Sequence, residues 1–205
     1  KLAGLFRIIF VILPCKVTVE VIVRAPKNLY LCRANSFTHQ NHKNMIGIYY
    51  GSSTGNTEAA ANDIAAALGV DAANIHNVSD TDASTVADYD TLLLGSSTWG
   101  AGDLQDDWYD FLDNLKGQDL AGKKVGLFGC GDSDGYADTF CGALVQIYDA
   151  LQDTGATFVG AYEPEGYQVT DSELNRDGKF LGLALDAADE ENNPERIAKW
   201  VELVK

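Results

Sequence analysis

Seven consecutive residues, Gly51-Ser52-Ser53-Thr54-Gly55-Asn56-Thr57, offer four hydroxyls, an amide, two glycines and no charged side chain. They follow the apolar run Met45–Tyr50 and lead into an alanine-rich stretch with helical spacing. A glycine-bearing loop that opens a helix binds anions, because free backbone N–H groups and the helix dipole supply positive potential there. The phosphate loop of nucleoside triphosphate enzymes needs a lysine in GxxxxGK[ST], and none is present. A single terminal phosphate held by neutral donors therefore fits better than a polyphosphate with Mg²⁺. An ordinary helix cap uses one such side chain, and this loop supplies five polar ones.

Two more segments place an aromatic ring among small polar residues. Ser96-Ser97-Thr98-Trp99-Gly100-Ala101-Gly102-Asp103 follows the apolar stretch TLLLG, and Cys130-Gly131-Asp132-Ser133-Asp134-Gly135-Tyr136-Ala137-Asp138 follows VGLFG. Among glycines and serines, Trp99 and Tyr136 lack local apolar cover, so each must fold onto the core or find a flat partner. Two such rings beside a phosphate loop suggest a planar ligand held between them.

The elements that must position these residues alternate. Strands are expected at Met45–Tyr50, Ile75–Val78, Thr91–Gly95, Lys124–Gly129 and Thr157–Ala161. Helices are expected at Asn56–Leu68, Leu104–Leu115, Phe140–Gln152 and Pro194–Val204. Inward faces follow from i, i+3, i+4, i+7 spacing, as in Trp108, Phe111, Leu112 and Leu115. Alternation of this kind predicts parallel strands with right-handed crossovers and helices on both faces of the sheet. Ligands of such sheets bind at the carboxyl ends of the strands, where the three polar segments lie.

Composition changes near Met45. Residues 1–44 hold seven basic residues and one acid, a net of +6, whereas residues 45–205 hold eight basic and 29 acidic residues, a net of −21. The expected organisation is an extension over 1–44 outside the fold and one domain over 45–205. The extension admits three readings: a secretory signal, a transit-like segment, and a mistranslated leader before a start at Met45. The last is preferred. A domain at −21 repels nucleic acid and anionic membrane and attracts basic protein surfaces, although solubility alone accounts for the charge equally well. Asp103, Asp106, Asp107 and Asp110 are read as a docking surface, because they follow the Trp99 segment directly. His76 is read as a surface or edge residue. Cys130 and Cys141 are read as reduced core residues, since no CxxC pair or metal-ligand spacing occurs. No catalytic residue and no metal are expected.

Taken in order along the chain, these segments resemble the flavodoxins. Ser52-Ser53-Thr54-Gly55-Asn56-Thr57 is similar to the family's FMN-phosphate loop, T/S-x-T-G-x-T. Ser97-Thr98-Trp99 with Gly100 to Trp108 is similar to the first flavin loop and its helix, and Gly129-Cys130-Gly131-Asp132 with Tyr136-Ala137-Asp138 is similar to the second. The resemblance covers about residues 45–205. It implies a three-layer α/β fold with a five-stranded parallel sheet in the order 2-1-3-4-5. Tyr162–Lys179, interrupting a last strand that resumes near Phe180–Leu185, looks like the insertion of the long-chain type. It further implies FMN bound without a covalent link. Ser52, Ser53, Thr54, Asn56 and Thr57, with Gly55, would be at the phosphate. Trp99 and Tyr136 would cover the ring, and the backbone around Gly100, Gly131 and Asp132 would meet its N5 and pyrimidine edge. Ser97, Thr98 and Asp138 complete the implied set. The implied function is that of a low-potential single-electron carrier, a cytoplasmic monomer (in the chloroplast stroma if 1–44 is a transit peptide). Its partners would present basic surfaces, as in ferredoxin–NADP reductase or low-potential oxidoreductases. The rival reading is an FMN-dependent NAD(P)H:quinone oxidoreductase on the same fold.

Overall fold

The computed structural model describes residues 44–169 and 171–205, and the backbone course of Arg7–Leu13, Lys16–Ala25 and Asn28–Arg33. The chain divides into two units, Lys1–Lys43 and Asn44–Lys205. In the first, β1 (Arg7–Leu13), β2 (Lys16–Ala25) and β3 (Asn28–Arg33) form an antiparallel sheet in that order.

The second unit is built on a parallel sheet. Its central path comprises β4 (Ile46–Gly51), β5 (Ile75–Asn77), β6 (Thr91–Trp99), β8 (Lys124–Gly131) and β12 (Leu183–Asp186), in the spatial order β12-β8-β6-β4-β5. Counted within this unit, that is the expected 2-1-3-4-5. The fifth position is split: β9 (Thr157–Val159) pairs with the first half of β8 and β12 with the second half, both parallel. The segment between them carries the two-residue strands β10 (Asn175–Arg176) and β11 (Lys179–Phe180), and Tyr162 bridges Phe180. It docks by burying Leu174 and Phe180 completely.

Both faces of the sheet are covered, as the period-2 alternation of strand side chains requires. Ile48, Tyr50, Leu93, Phe128, Leu183 and Leu185 pack with α1 (Asn56–Leu68) and α4 (Asn193–Val204). Tyr49, Leu92, Leu94, Val125 and Leu127 pack with α2 (Asp107–Leu115) and α3 (Ala143–Leu151). The expected inward residues of α2 are all buried; the same spacing marks Ile197, Trp200, Val201 and Val204 in α4, all buried, and Ala60, Ile64 and Leu68 in α1, of which Leu68 is half-buried.

Several boundaries differ from expectation by a residue or more, and three of them have a visible cause. Thr91–Gly95 continues as strand through Trp99 because β7 (Asp103–Leu104) turns back and pairs with Thr98 and Trp99. This takes Leu104 out of the helix, which starts at Asp107. Cys141 has φ +52°, a left-handed conformation that interrupts a right-handed helix, so α3 starts at Ala143 and Phe140 precedes it. His76 does lie on the edge strand, but it is half-buried there. It stacks on Tyr49 with centroids 4.8 Å apart and hydrogen-bonds the Tyr89 hydroxyl at 2.7 Å, and burial lowers its pKa.

We expect residues 45–205 to fold alone. Heat denaturation of a chain shortened to that range should keep one cooperative transition within a few degrees of the parent, and loss of the transition would contradict the boundary.

Candidate functional site

The register of the parallel ladder brings the three polar segments to one edge. Gly51 is the lateral neighbour of Ser96, Ser96 of Gly129, and Ser97 of Cys130. Gly131 is the neighbour of Asp186 at the end of β12. Beyond these residues the chain leaves the sheet around a cleft of about 230 Å³. Among its lining residues are Thr54, Asn56, Ser97, Thr98, Trp99 and Tyr136.

At one end stands the start of α1. Gly55 precedes the helix at φ +92°, a conformation glycine adopts without cost, and no side chain caps the first turn. Gly55 N–H itself donates to Ser52 Oγ at 3.1 Å. Thr57 is fully buried, and its hydroxyl meets the weakly polar Cys130 thiol but no oxygen or nitrogen partner. Buried hydroxyls without partners are costly in a folded protein. Uncapped first-turn amides beside such a hydroxyl are what an anionic group would complete. Thr54 and Asn56 line the cleft, whereas Ser52, Ser53, Gly55 and Thr57 of the same segment are not part of its lining.

At the other end stand two rings. Trp99 is 45% and Tyr136 58% exposed, among the largest apolar exposures of the described residues. The Trp99 indole is held by donating from Nε1 to Ser97 Oγ at 3.0 Å. Thr98 Oγ1 is a second buried hydroxyl without a partner. The chain reverses after Trp99 through a turn closed by Gly102 N–H donating to Trp99 O at 3.1 Å. Of the two central residues only Gly100 has positive φ, +51°. A Cβ at Gly100 would stand 2.7 Å from Asp103 Oδ2, which that exposed side chain can vacate, so it is the conformation that calls for glycine. In the second aromatic segment Gly131 ends β8 and Asp132 closes a turn, its Oδ1 accepting from Asp134 N and Gly135 N at 3.1 Å each.

The structure therefore brings Thr54, Asn56, Ser97, Thr98, Trp99, Gly100, Gly131, Asp132 and Tyr136 to one cleft. Asp138 is exposed in a short 3₁₀ turn and is not part of the lining. Sequence reasoning missed Cys130, Thr139, Phe140, Cys141 and Ala187. Strand alternation was a usable signal for Cys130, which points away from the face of Gly129 and Gly131. Nothing in the sequence announces the left-handed Cys141 that lets Phe140 and Cys141 turn toward the cleft. Burial pushes the Cys130 thiol up to about 11, so it stays protonated near neutrality. Cys141 is shifted upward by the same cause. Neither forms a disulfide. Among the described residues no cluster could hold a metal ion, and no helix is long and apolar enough to cross a membrane.

A flat ring with a phosphate tail fits these features: uncapped amides and a lone buried hydroxyl at one end, two exposed rings at the other. The comparisons agree with that shape. The flavodoxin family model matches residues 48–200. Flavodoxin 1 of Salmonella typhimurium is 44% identical over 165 residues, covering 78% of this chain and 92% of that protein. A flavodoxin of Picosynechococcus is 40% identical, covering 78% of this chain and 95% of that protein. Among solved structures, Fusobacterium nucleatum flavodoxin bound to flavin mononucleotide superposes with a TM-score of 0.70 at 30% identity, covering 77% and 94% of the two chains. Oxidised Flavodoxin 2 of Bacillus cereus gives a TM-score of 0.59 at 32% identity, covering 77% and 95%.

The Cys130 thiol offers a direct check of this environment. Moving its pKa from an ordinary 9 to about 11 leaves about a hundredfold less thiolate at pH 8. Alkylation of Cys130 by iodoacetamide in the ligand-free protein should be slower than that of a free thiol by about that factor. Reaction at the free-thiol rate would contradict it.

Proposed function

This chain belongs to the flavodoxin family, and on that premise we propose how its residues hold FMN and present it to partners. It is an FMN-binding electron-transfer protein rather than an enzyme, and family membership favours this over a quinone oxidoreductase. When bound, FMN supplies the one-electron chemistry, and the chain supplies binding, orientation and electrostatics.

The observation that carries the assignment of residues is the buried, unpartnered hydroxyl of Thr98, which lines the cleft, together with that of Thr57, next in the chain to the lining residue Asn56. Thr57, with Thr54, Asn56 and the uncapped amides of α1, would hold the phosphate. Ser52 supports the loop through Gly55 N–H, and Ser53 stands in the exposed part of it. Thr98 would meet the chain between phosphate and ring. Trp99, fixed by Ser97, and Tyr136 would wall the two ring faces, while backbone at Gly100, Gly131 and Asp132 would meet the polar edge. Asp138 belongs to the outer rim of this reading. Cys130 donates no electrons and attacks nothing while its thiol is protonated. It packs beside Thr57 as a small apolar group.

Asp103, Asp106, Asp107 and Asp110 are all exposed at and after the Trp99 turn. We assign them to docking. A carboxylate cluster beside an exposed indole steers a basic partner toward the ring edge. It also disfavours further negative charge on the flavin, which lowers its potential. Redox proteins with basic faces, such as ferredoxin–NADP reductase or low-potential oxidoreductases, fit this surface. The reading includes a monomer working in the cytoplasm, or in the chloroplast stroma if residues 1–44 address it there.

Two measurements test this. Thr57→Ala should weaken FMN by about 1.5–3 kcal/mol, the range of a hydrogen bond to a charged group, and leave riboflavin, which lacks the phosphate, nearly unchanged. Equal losses for both ligands would make Thr57 a structural residue. Electron transfer to a basic reductase should slow as ionic strength rises toward and past the physiological range. A rate indifferent to salt would reduce the acidic surface to a solubility device.

A further inference from the structure

The loop that carries Tyr136 is closed mostly upon itself. Asp132 Oδ1 accepts from Asp134 N and Gly135 N, and Tyr136 N–H donates to Asp132 O at 3.1 Å. Its tie to the neighbouring strand runs through Ser133, whose N–H donates to Asp186 Oδ1 at 3.1 Å across 53 residues of chain. Ser133 is 5% and Asp186 2% exposed. The same carboxylate oxygen accepts from Ala188 N at 3.0 Å, capping the 3₁₀ segment that follows β12.

Asp186 is itself held from behind. Its N–H donates to Asn193 Oδ1 at 3.1 Å, and Asn193 Nδ2 donates to Asp186 O at 3.0 Å. Arg196 Nη1 donates to Asn193 Oδ1 at 2.9 Å. That guanidinium pairs with Asp189 at 2.5 Å and lies 4.1 Å from the Tyr167 ring centroid. A chain of contacts thus runs from the insertion, through the first turn of α4 and the end of β12, to the Tyr136 loop. Burying a carboxylate is costly unless it is hydrogen-bonded. Here one oxygen satisfies two backbone donors from two segments, and such charge-assisted bonds are stronger than neutral ones.

We propose that Asp186 is a positioning residue of the flavin site: its carboxylate fixes the height of the 132–136 loop and so places Tyr136 as a wall of the cleft. Asp186 does not line that cleft, although Ala187 beside it does. It acts on the ring end only, through Ser133. The inference rests on the flavin reading of the site.

The test separates the cross-chain bond from the local cap. In Asp186→Ser the hydroxyl can still accept from Ala188 N–H, two residues on, but the side chain is one bond short of Ser133 N–H. In Asp186→Asn an oxygen remains where Oδ1 was. Flavin-free parent, Asp186→Ser and Asp186→Asn are titrated with FMN and with riboflavin by quenching of flavin fluorescence. The visible circular dichroism of the bound ring is recorded, and the far-ultraviolet spectrum checks folding. Asp186→Ser should bind both ligands about tenfold more weakly, with the FMN-to-riboflavin ratio unchanged and the ring's dichroism altered. Asp186→Asn should stay within about threefold of the parent in both affinities. If Asp186→Ser binds within about twofold of the parent, or loses FMN affinity alone, or if Asp186→Asn is as weak as Asp186→Ser, the positioning role is overturned. A parent that binds neither flavin would instead overturn the flavin reading, and this inference with it.

Discussion

Parallel backbone hydrogen bonding makes Gly51 the neighbour of Ser96 and Ser96 the neighbour of Gly129, and the rest of the site depends on that register. A slip of one residue between β4 and β6 would turn every side chain of a strand to the opposite face. Tyr49 would exchange places with Ile48 and Tyr50, and the α2–α3 core would meet the wrong surface. Burial on both faces therefore locks the register. The locked register makes three polar segments, far apart in sequence, leave the sheet at one level. The cleft is a consequence of the ladder, and its side chains need only be small, polar or flat in the right places.

Within that frame the two ends of the cleft are built by opposite means. The α1 end works by omission: a glycine where a capping side chain would sit, and a buried threonine hydroxyl faced by the weakly polar Cys130 thiol rather than by an oxygen or nitrogen partner. The aromatic end works by restraint. Trp99 is tied to Ser97, the turn behind it is closed by Gly102, and the Tyr136 loop is folded around Asp132 and tied to Asp186. Uncapped amides suit an anion because they present positive potential without a titrating group. Fixed rings suit a planar ligand because little side-chain freedom remains to be lost on binding.

Much of this was legible in the chain. The 3.6-residue spacing located the buried stripes of α1, α2 and α4, strand–helix alternation gave a parallel sheet covered on both faces, and the strand order came from the resemblance to the flavodoxins. Hydroxyls and glycines after an apolar strand marked the anion loop. What was not legible depends on pairings and backbone conformations that residue spacing alone does not display. Thr98 and Trp99 read as loop, because Ser and Thr beside Gly look like a turn, and only their pairing with Asp103 and Leu104 makes them strand. Cys141 sits in a segment with helical periodicity and yet has positive φ. Asp186 passed unnoticed between an apolar strand and an acidic stretch, where an exposed carboxylate is the ordinary expectation. Its partner Ser133 is 53 residues away, and no local pattern joins them.

The central claim is that this sheet edge is complete only with a flavin phosphate in it. The most direct measurement is the absorption spectrum of the purified protein, followed by identification and quantification of the ligand released on denaturation. Visible flavin bands and one FMN per chain are expected, restored in full when the stripped protein is mixed with FMN. A colourless protein that stays spectrally silent on adding FMN, or one that releases FAD, would contradict it.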